Sequence, residues 1–139
     1  MASGRWNVAG GFLFIAAFVV LGFVLIYLRD FAPGKEAWIA DSAVGKHFET
    51  RLAHAHGNLF ALINVGVGLA LPSIVAGAAT KRALGWLTLG GMLMPLGILG
   101  EVVLGTTPYV VMAGGAMMFV AVTWAGVLVA RGWSSQAHA

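Results

Sequence analysis

Three ionisable side chains lie within long apolar stretches of this sequence: His54, His56 and Glu101. An ionisable group at the centre of a bilayer costs about 2.5–3.5 kcal/mol or more, so such groups are functional candidates by default. Asn58 and Asn64 add amides to the stretch that carries the histidines. Because imidazole binds metals and titrates near neutral pH, the set predicts a metal, haem or proton-transfer site.

The spacing of the polar residues restricts how they can cooperate. His54 and Asn58 are four residues apart and share one face of a helix. His56 points roughly 200° away from His54 at 3.6 residues per turn. We therefore expect only one of the two imidazoles to reach any single ligand.

Composition identifies the class of protein. Of the 139 residues 60% are hydrophobic and 9% are charged, and the mean hydropathy is +0.91, whereas soluble domains carry about 25% charged residues. The chain contains no cysteine, which excludes disulfides, iron–sulfur clusters, thiolate zinc sites and covalently attached haem. No basic cluster is larger than Lys81-Arg82, so no nucleic-acid partner is expected.

The apolar runs predict an all-α fold, a single domain over 1–139 with four transmembrane helices in a bundle. A span needs about 20 apolar residues. The predicted spans cover residues 8–28, 52–79, 83–105 and 109–130, with a polar loop over 29–51. In that loop Pro33-Gly34 forms a turn, followed by a short interfacial helix with Trp38 and Ile39, and Pro95 is expected to kink the third span.

Four spans place both termini on one side of the membrane. The Lys and Arg counts of the two sides are equal, and we take the cytoplasmic side for the termini. The start of the second span and the end of the third share the opposite side, so His54, His56 and Glu101 can contribute to one site. The 20 glycines predict close helix packing within one subunit, or in addition a helix interface between subunits.

The number and position of the histidines restrict the axial ligands that a haem could have in this chain. Only the second span contains histidine, because His47 falls in the predicted loop and His138 in the tail. One chain therefore offers a single axial imidazole, and the other axial position is open or taken by methionine, Glu101 or another chain. An open position suits ligand binding or Lewis-acid catalysis better than electron transfer.

The segment from Ala53-His54 to Leu71-Pro72-Ser73 resembles the second helix of the styrene oxide isomerases, which are small four-helix membrane enzymes. The similarity continues through Leu84-Gly85-Trp86 and Pro108. The resemblance implies a homotrimer in a bacterial inner membrane, with haem b between adjacent subunits and His54 as the axial ligand of iron. It further implies a small hydrophobic epoxide substrate, which ferric haem opens as a Lewis acid to give an aldehyde by a 1,2-hydride shift.

The sequence departs from that family at the substrate-positioning residues. Phe60 stands at the family's asparagine position, Glu101 at its tyrosine position, and His56 at a glycine position. Asn58 or Asn64 can supply an amide from a shifted position. We therefore expect His54, His56 and Phe60 around the cofactor, and Glu101, Asn58 and Asn64 around the substrate.

Three alternatives to an epoxide isomerase remain open at this stage. One is a non-catalytic haem-binding or sensing protein of the same fold. Another is a non-haem metal or proton-coupled protein using His47, His54, His56 and Glu101. The third is a structural subunit whose polar residues contact a partner.

Overall fold

The computed structural model describes the backbone of residues 4–136 and the side chains of residues 4–132. Within that range the chain forms six helices and no strand. They are α1 (Arg5–Asp30), α2 (Lys35–Ala40), α3 (Lys46–Ala70), α4 (Ala78–Gly90), α5 (Leu93–Leu104) and α6 (Tyr109–Gln136).

Four helical segments are long and apolar enough to cross a membrane, which confirms the predicted four-helix membrane bundle. They are Arg5–Asp30, Lys46–Ala70, Ala78–Leu104 and Tyr109–Gly132. The third combines α4 and α5. The short helix α2 lies in the first loop, where the sequence placed an interfacial helix.

The predicted limits of the second span, 52–79, are wrong at both ends. The helix α3 begins at Lys46, so His47 is on the helix and not in the loop. Hydropathy cannot separate a polar first turn of helix from a loop. At the other end α3 stops at Ala70. Leu71 keeps helical dihedral angles, φ −49° and ψ −40°, but Pro72 has no N–H to donate to the Gly68 carbonyl, so the helical hydrogen bonds end there.

The residues after Pro72 remain apolar although they are not helical. Leu71 and Ile74 are buried at 1% and 6% exposure and pack against Leu84 and Ala121. The turn thus folds back onto the bundle, which explains why the apolar signal continues past the end of the helix.

The third span is interrupted at Gly91 and Met92, which lie between α4 and α5. Met92 is three residues before Pro95. Proline lacks the N–H that would bond to the carbonyl of Gly91. The Met94 N–H donates instead to that carbonyl at 3.1 Å. The helix is therefore interrupted in the turn before Pro95, which ends α4 and starts α5.

Close approach of α1 to α3 depends on glycine. A Cβ on Gly68 would lie 2.8 Å from the Gly4 carbonyl oxygen and 2.9 Å from the Val8 nitrogen. Further along, Phe18 of α1 packs into the space left by Gly57 and joins Phe60, Met92 and Met118 in the core. Much of the remaining apolar surface, such as Phe23 at 67% exposure, faces outward, as expected for a surface covered by lipid.

Candidate functional site

His54 lies on the face of α3 that packs against α1. A Cβ on Gly22 of α1 would lie 2.9 Å from Nε2 of His54, nearer than to the other atoms of the ring. The ring is half-buried, and within residues 4–132 its nitrogens have no hydrogen-bond partner. An unbonded imidazole nitrogen at this depth in an apolar span is costly, and it is available as a ligand.

His56 points to a different part of the bundle, as its spacing from His54 predicts. Its Nδ1 lies 2.9 Å from the Leu52 carbonyl oxygen. A carbonyl only accepts, so Nδ1 donates and Nε2 keeps its lone pair, which is the arrangement found in many metal-ligating histidines. The ring stands edge-on to Phe60 at a centroid distance of 6.0 Å.

A cavity of about 360 Å³ lies between the end of α1 and the start of α3. Its lining consists of Leu25, Ile26, Arg29, His47 and Arg51. Leu25 and Ile26 follow Gly22 by one helical turn, and Arg51 precedes His54 by one turn, so the cavity adjoins the His54–Gly22 contact on the side nearer the first loop.

The charge of this cavity comes mainly from Arg51. Arg29 is paired with Asp30, whose carboxylate accepts hydrogen bonds of 2.8 Å from Nε and 2.7 Å from Nη2. Among the described residues the exposed guanidinium of Arg51 has no such carboxylate. His47 is buried, donates from Nδ1 to the Trp38 carbonyl at 2.8 Å and stacks on the Trp38 ring at 4.6 Å. The cavity therefore suits an anionic group.

Asn58 and Asn64 have different surroundings. The half-buried Asn58 donates from Nδ2 to the His54 carbonyl oxygen at 2.9 Å, within its own helix. Asn64 is fully buried and donates to the carbonyls of Phe60 and Thr88, each at 3.0 Å. Its Oδ1 accepts a hydrogen bond of 3.1 Å from Asn7. Asn64 thus connects three helices and is separated from His54 by nearly three turns.

Asn7 is a partner that the sequence analysis missed. It is 3% exposed and also donates to the Gly85 carbonyl at 2.8 Å. The residue stands just before the apolar run of the first span, where an amide is expected to be hydrated. The one indication of its burial in the sequence was its spacing from Gly11. The two residues are one helical turn apart and lie on the face of α1 that meets α3.

Phe60 and Glu101 have surroundings of their own, in the core and near the end of α5. Phe60 is 9% exposed and belongs to the core with Phe18, Met92 and Met118. Glu101 is half-buried near the end of α5, and its Oε1 is enclosed without a hydrogen-bond partner among the described residues. No three histidine or acidic side chains of the described part of the chain come close enough to hold a metal ion. His138 lies outside the described residues.

If an iron porphyrin were bound here, the unbonded imidazole of His54 would be its ligand. Arg51, one turn nearer the loop, and Arg29 on α1 would supply donors for its carboxylates, while His47, whose Nδ1 donates to the Trp38 carbonyl, forms part of the wall. Coordination through Nε2 requires the His54 ring to turn away from Gly22, since that atom now faces α1.

Comparison with known proteins identifies no relative: no family model matches the chain, and neither a characterised protein nor a solved structure is significantly similar to it.

Proposed function

We propose that this chain is a haem-b-binding integral membrane protein in which α3 supplies one axial imidazole, that of His54. The observation that carries the proposal is the half-buried, unbonded His54 ring beside a cavity lined by Arg29, His47 and Arg51. The resemblance of the segment from Ala53-His54 to Leu71-Pro72-Ser73 to the styrene oxide isomerases supports the same residue.

The cationic cavity has a defined role in this proposal. Arg51 and His47 lie three and seven residues before His54, about 4.5 and 10 Å along the helix axis at 1.5 Å per residue. The guanidinium of Arg51 would hold a propionate group, with Arg29 contributing across the groove. His47, whose Nδ1 donates to the Trp38 carbonyl, would form the wall beside it. Guanidinium groups bind carboxylates with two parallel hydrogen bonds, so Arg51 is the strongest of these partners.

His56 is the competing ligand. Its bond to the Leu52 carbonyl already fixes a lone pair on Nε2. We place the iron on His54 because the cavity adjoins that residue, whereas His56 faces Phe60 and the core. The two positions therefore form a matched pair for experiment.

Bound ferric haem would supply a Lewis acid able to polarise an epoxide oxygen. The residues expected to position such a substrate are dispersed: Asn64 is fully bonded, Asn58 bonds to its own helix, and Glu101 lies on α5. Haem binding is thus the function that the geometry supports best. Isomerisation of a small hydrophobic epoxide is carried by the resemblance alone.

The decisive experiment is a spectrum of detergent-purified protein expressed with ample iron and haem precursor. We expect a Soret band in the wild type, its loss in His54→Ala, its retention in His56→Ala, and its recovery in His54→Ala when free imidazole is added. A wild type without the band after haemin titration would refute the proposal. Loss in His56→Ala alone would move the ligand to that residue and refute the assignment.

Two further measurements on the same sample test what the resemblance adds. The mass of the haem-loaded particle is expected to correspond to three chains. Aryl epoxide is expected to yield aldehyde only when haem is bound. A haem-loaded monomer would refute the trimer, and haem-loaded protein that leaves the epoxide unchanged would refute the isomerase reaction. Neither result would contradict haem binding.

Orientation and location belong to the same proposal. The side of the termini carries Arg5, Lys81, Arg82 and Arg131, and none of the five acidic residues of the chain lies there. We place this side in the cytoplasm of a bacterial plasma membrane as part of the proposal, because the equal Lys and Arg counts of the two sides give the positive-inside preference no direction.

A further inference from the structure

A second cavity lies on the opposite side of the bundle from the candidate haem site. It has a volume of about 700 Å³ and lies between the first turn of α1 and one face of α4, from Ala78 to Leu89. Its lining includes Trp6, Asn7, Lys81, Arg82, Trp86 and Leu89. None of these residues serves the proposed function.

The mouth of this cavity is positively charged. Lys81 and Arg82 lie on its wall, and Arg5 stacks on Trp6 at 4.8 Å from the ring centre. All five acidic residues of the chain are on α2, in the first loop, or at the ends of α1, α3 and α5 that face the other side. Over the described residues 4–132 the cations therefore have no acidic side chain as a partner.

The start of α4 adds to the positive potential. The helix begins at Ala78, which lines the cavity, and its cap Gly77 has no side chain to accept the first backbone N–H groups. The amino terminus of a helix favours an anion because these N–H groups are unpaired and the helix dipole is positive there.

The deeper part of the cavity is apolar and open to the bilayer. Leu89 lies seven residues after Arg82, about 10 Å further along the helix axis, and Leu71 forms part of the floor. Trp6 and Trp86 flank the opening at 61% and 67% exposure. Tryptophan prefers the depth of the lipid headgroups, so the charged mouth lies at the interface and the apolar wall in hydrocarbon.

We propose that this cavity is a binding site for an anionic phospholipid. The phosphate binds at Lys81, Arg82 and the start of α4, and an acyl chain lies along Trp86 and Leu89. An inorganic anion would make no favourable contact with the apolar wall. A zwitterionic lipid carries no net charge, so the cations of the cavity increase its affinity less than that of an anionic lipid. A basic residue near the surface favours an anionic lipid about fivefold, which is the equivalent of about 1 kcal/mol.

The test is native mass spectrometry of the full-length purified protein with phosphatidylglycerol or phosphatidylcholine of identical acyl chains. We expect phosphatidylglycerol to bind more tightly, and the Arg82→Gln and Lys81→Gln variants each to weaken it about fivefold. The matched control is Arg131→Gln, which removes one charge on the same side of the membrane but outside the cavity and should leave binding unchanged.

Three outcomes would overturn the proposal. These are equal affinity for the two lipids, an effect of Arg131→Gln as large as that of Arg82→Gln, and displacement of the bound lipid by excess inorganic phosphate. Because Lys81 also donates to the Pro72 carbonyl at 3.1 Å, Arg82→Gln decides the case if Lys81→Gln alters the fold.

Discussion

The hydrogen bonds that Asn64 makes to Asn7 and to two backbone carbonyls give a stability prediction that can be measured independently of any ligand. Replacing Asn64 by leucine keeps the branched shape and the number of non-hydrogen atoms and removes all three hydrogen bonds of its side chain. Two of them join α3 to other helices, through Asn7 on α1 and Thr88 on α4. The variant should therefore loosen the contact of three spans at once.

The expected magnitude follows from the number of interhelical bonds. Such bonds in membrane proteins contribute about 0.6 kcal/mol on average and up to about 1.7. For two of them we expect Asn64→Leu to lower the free energy of unfolding by about 1–3 kcal/mol. The pairwise coupling of Asn7→Leu with Asn64→Leu, which isolates the single bond of 3.1 Å between them, should be about 0.6 kcal/mol or more.

The assay is loss of helical circular dichroism as dodecyl sulfate is titrated into mixed micelles. Asn58→Leu is the control, because that amide bonds only to the His54 carbonyl of its own helix and should cost less. If Asn64→Leu were as stable as Asn58→Leu, or if the coupling energy were zero within error, the amides would not hold the helices together and the reasoning would fail.

Two other predictions concern packing and orientation. A Cβ on Gly114 would lie 2.7 Å from the carbonyl carbon of Leu93, so Gly114→Ala should destabilise the bundle by about 1–3 kcal/mol. A Cβ on Gly66 would have nothing within 4 Å, so Gly66→Ala should be neutral or stabilising in the same titration. Equal effects of the two substitutions would contradict the packing. The chain has no cysteine, so single cysteines can report the orientation. A membrane-impermeant maleimide applied to intact cells should label the Ala43→Cys variant, in the first loop, and not the Ser73→Cys variant, after α3. The reverse labelling would contradict the proposed orientation.

The fold was predictable where one physical effect dominates. Long apolar runs specify membrane spans because the requirement for about 20 residues is set by the bilayer. The end of α3 was misplaced because hydropathy reports burial and lipid contact alike, and Leu71 and Ile74 are apolar in a turn that folds onto the bundle. Its start was misplaced because His47 lies on a polar turn of helix held by Trp38, a tertiary contact.

For the candidate site, helical periodicity correctly separated His54 from His56. The contact between His56 and Phe60 lies within α3, between residues four apart, and follows from the spacing alone. The helical period could not show that Gly22 of α1 faces the His54 ring, because that contact depends on how the neighbouring helices are rotated. Asn7 was missed for the same reason. Its amide looks hydrated in the sequence and is buried only when α1 meets α3 and α4.

The contact between Trp38 and His47 connects the first loop to the cavity between α1 and α3. His47 is a wall of the cavity next to Arg51, and Trp38 on α2 holds that wall by stacking and by accepting a hydrogen bond. Occupancy of the cavity and order in α2 are then thermodynamically linked, and each must favour the other to the same extent. A molecule bound between two membrane helices can in this way be sensed as protection of an extramembrane loop from proteolysis or hydrogen exchange.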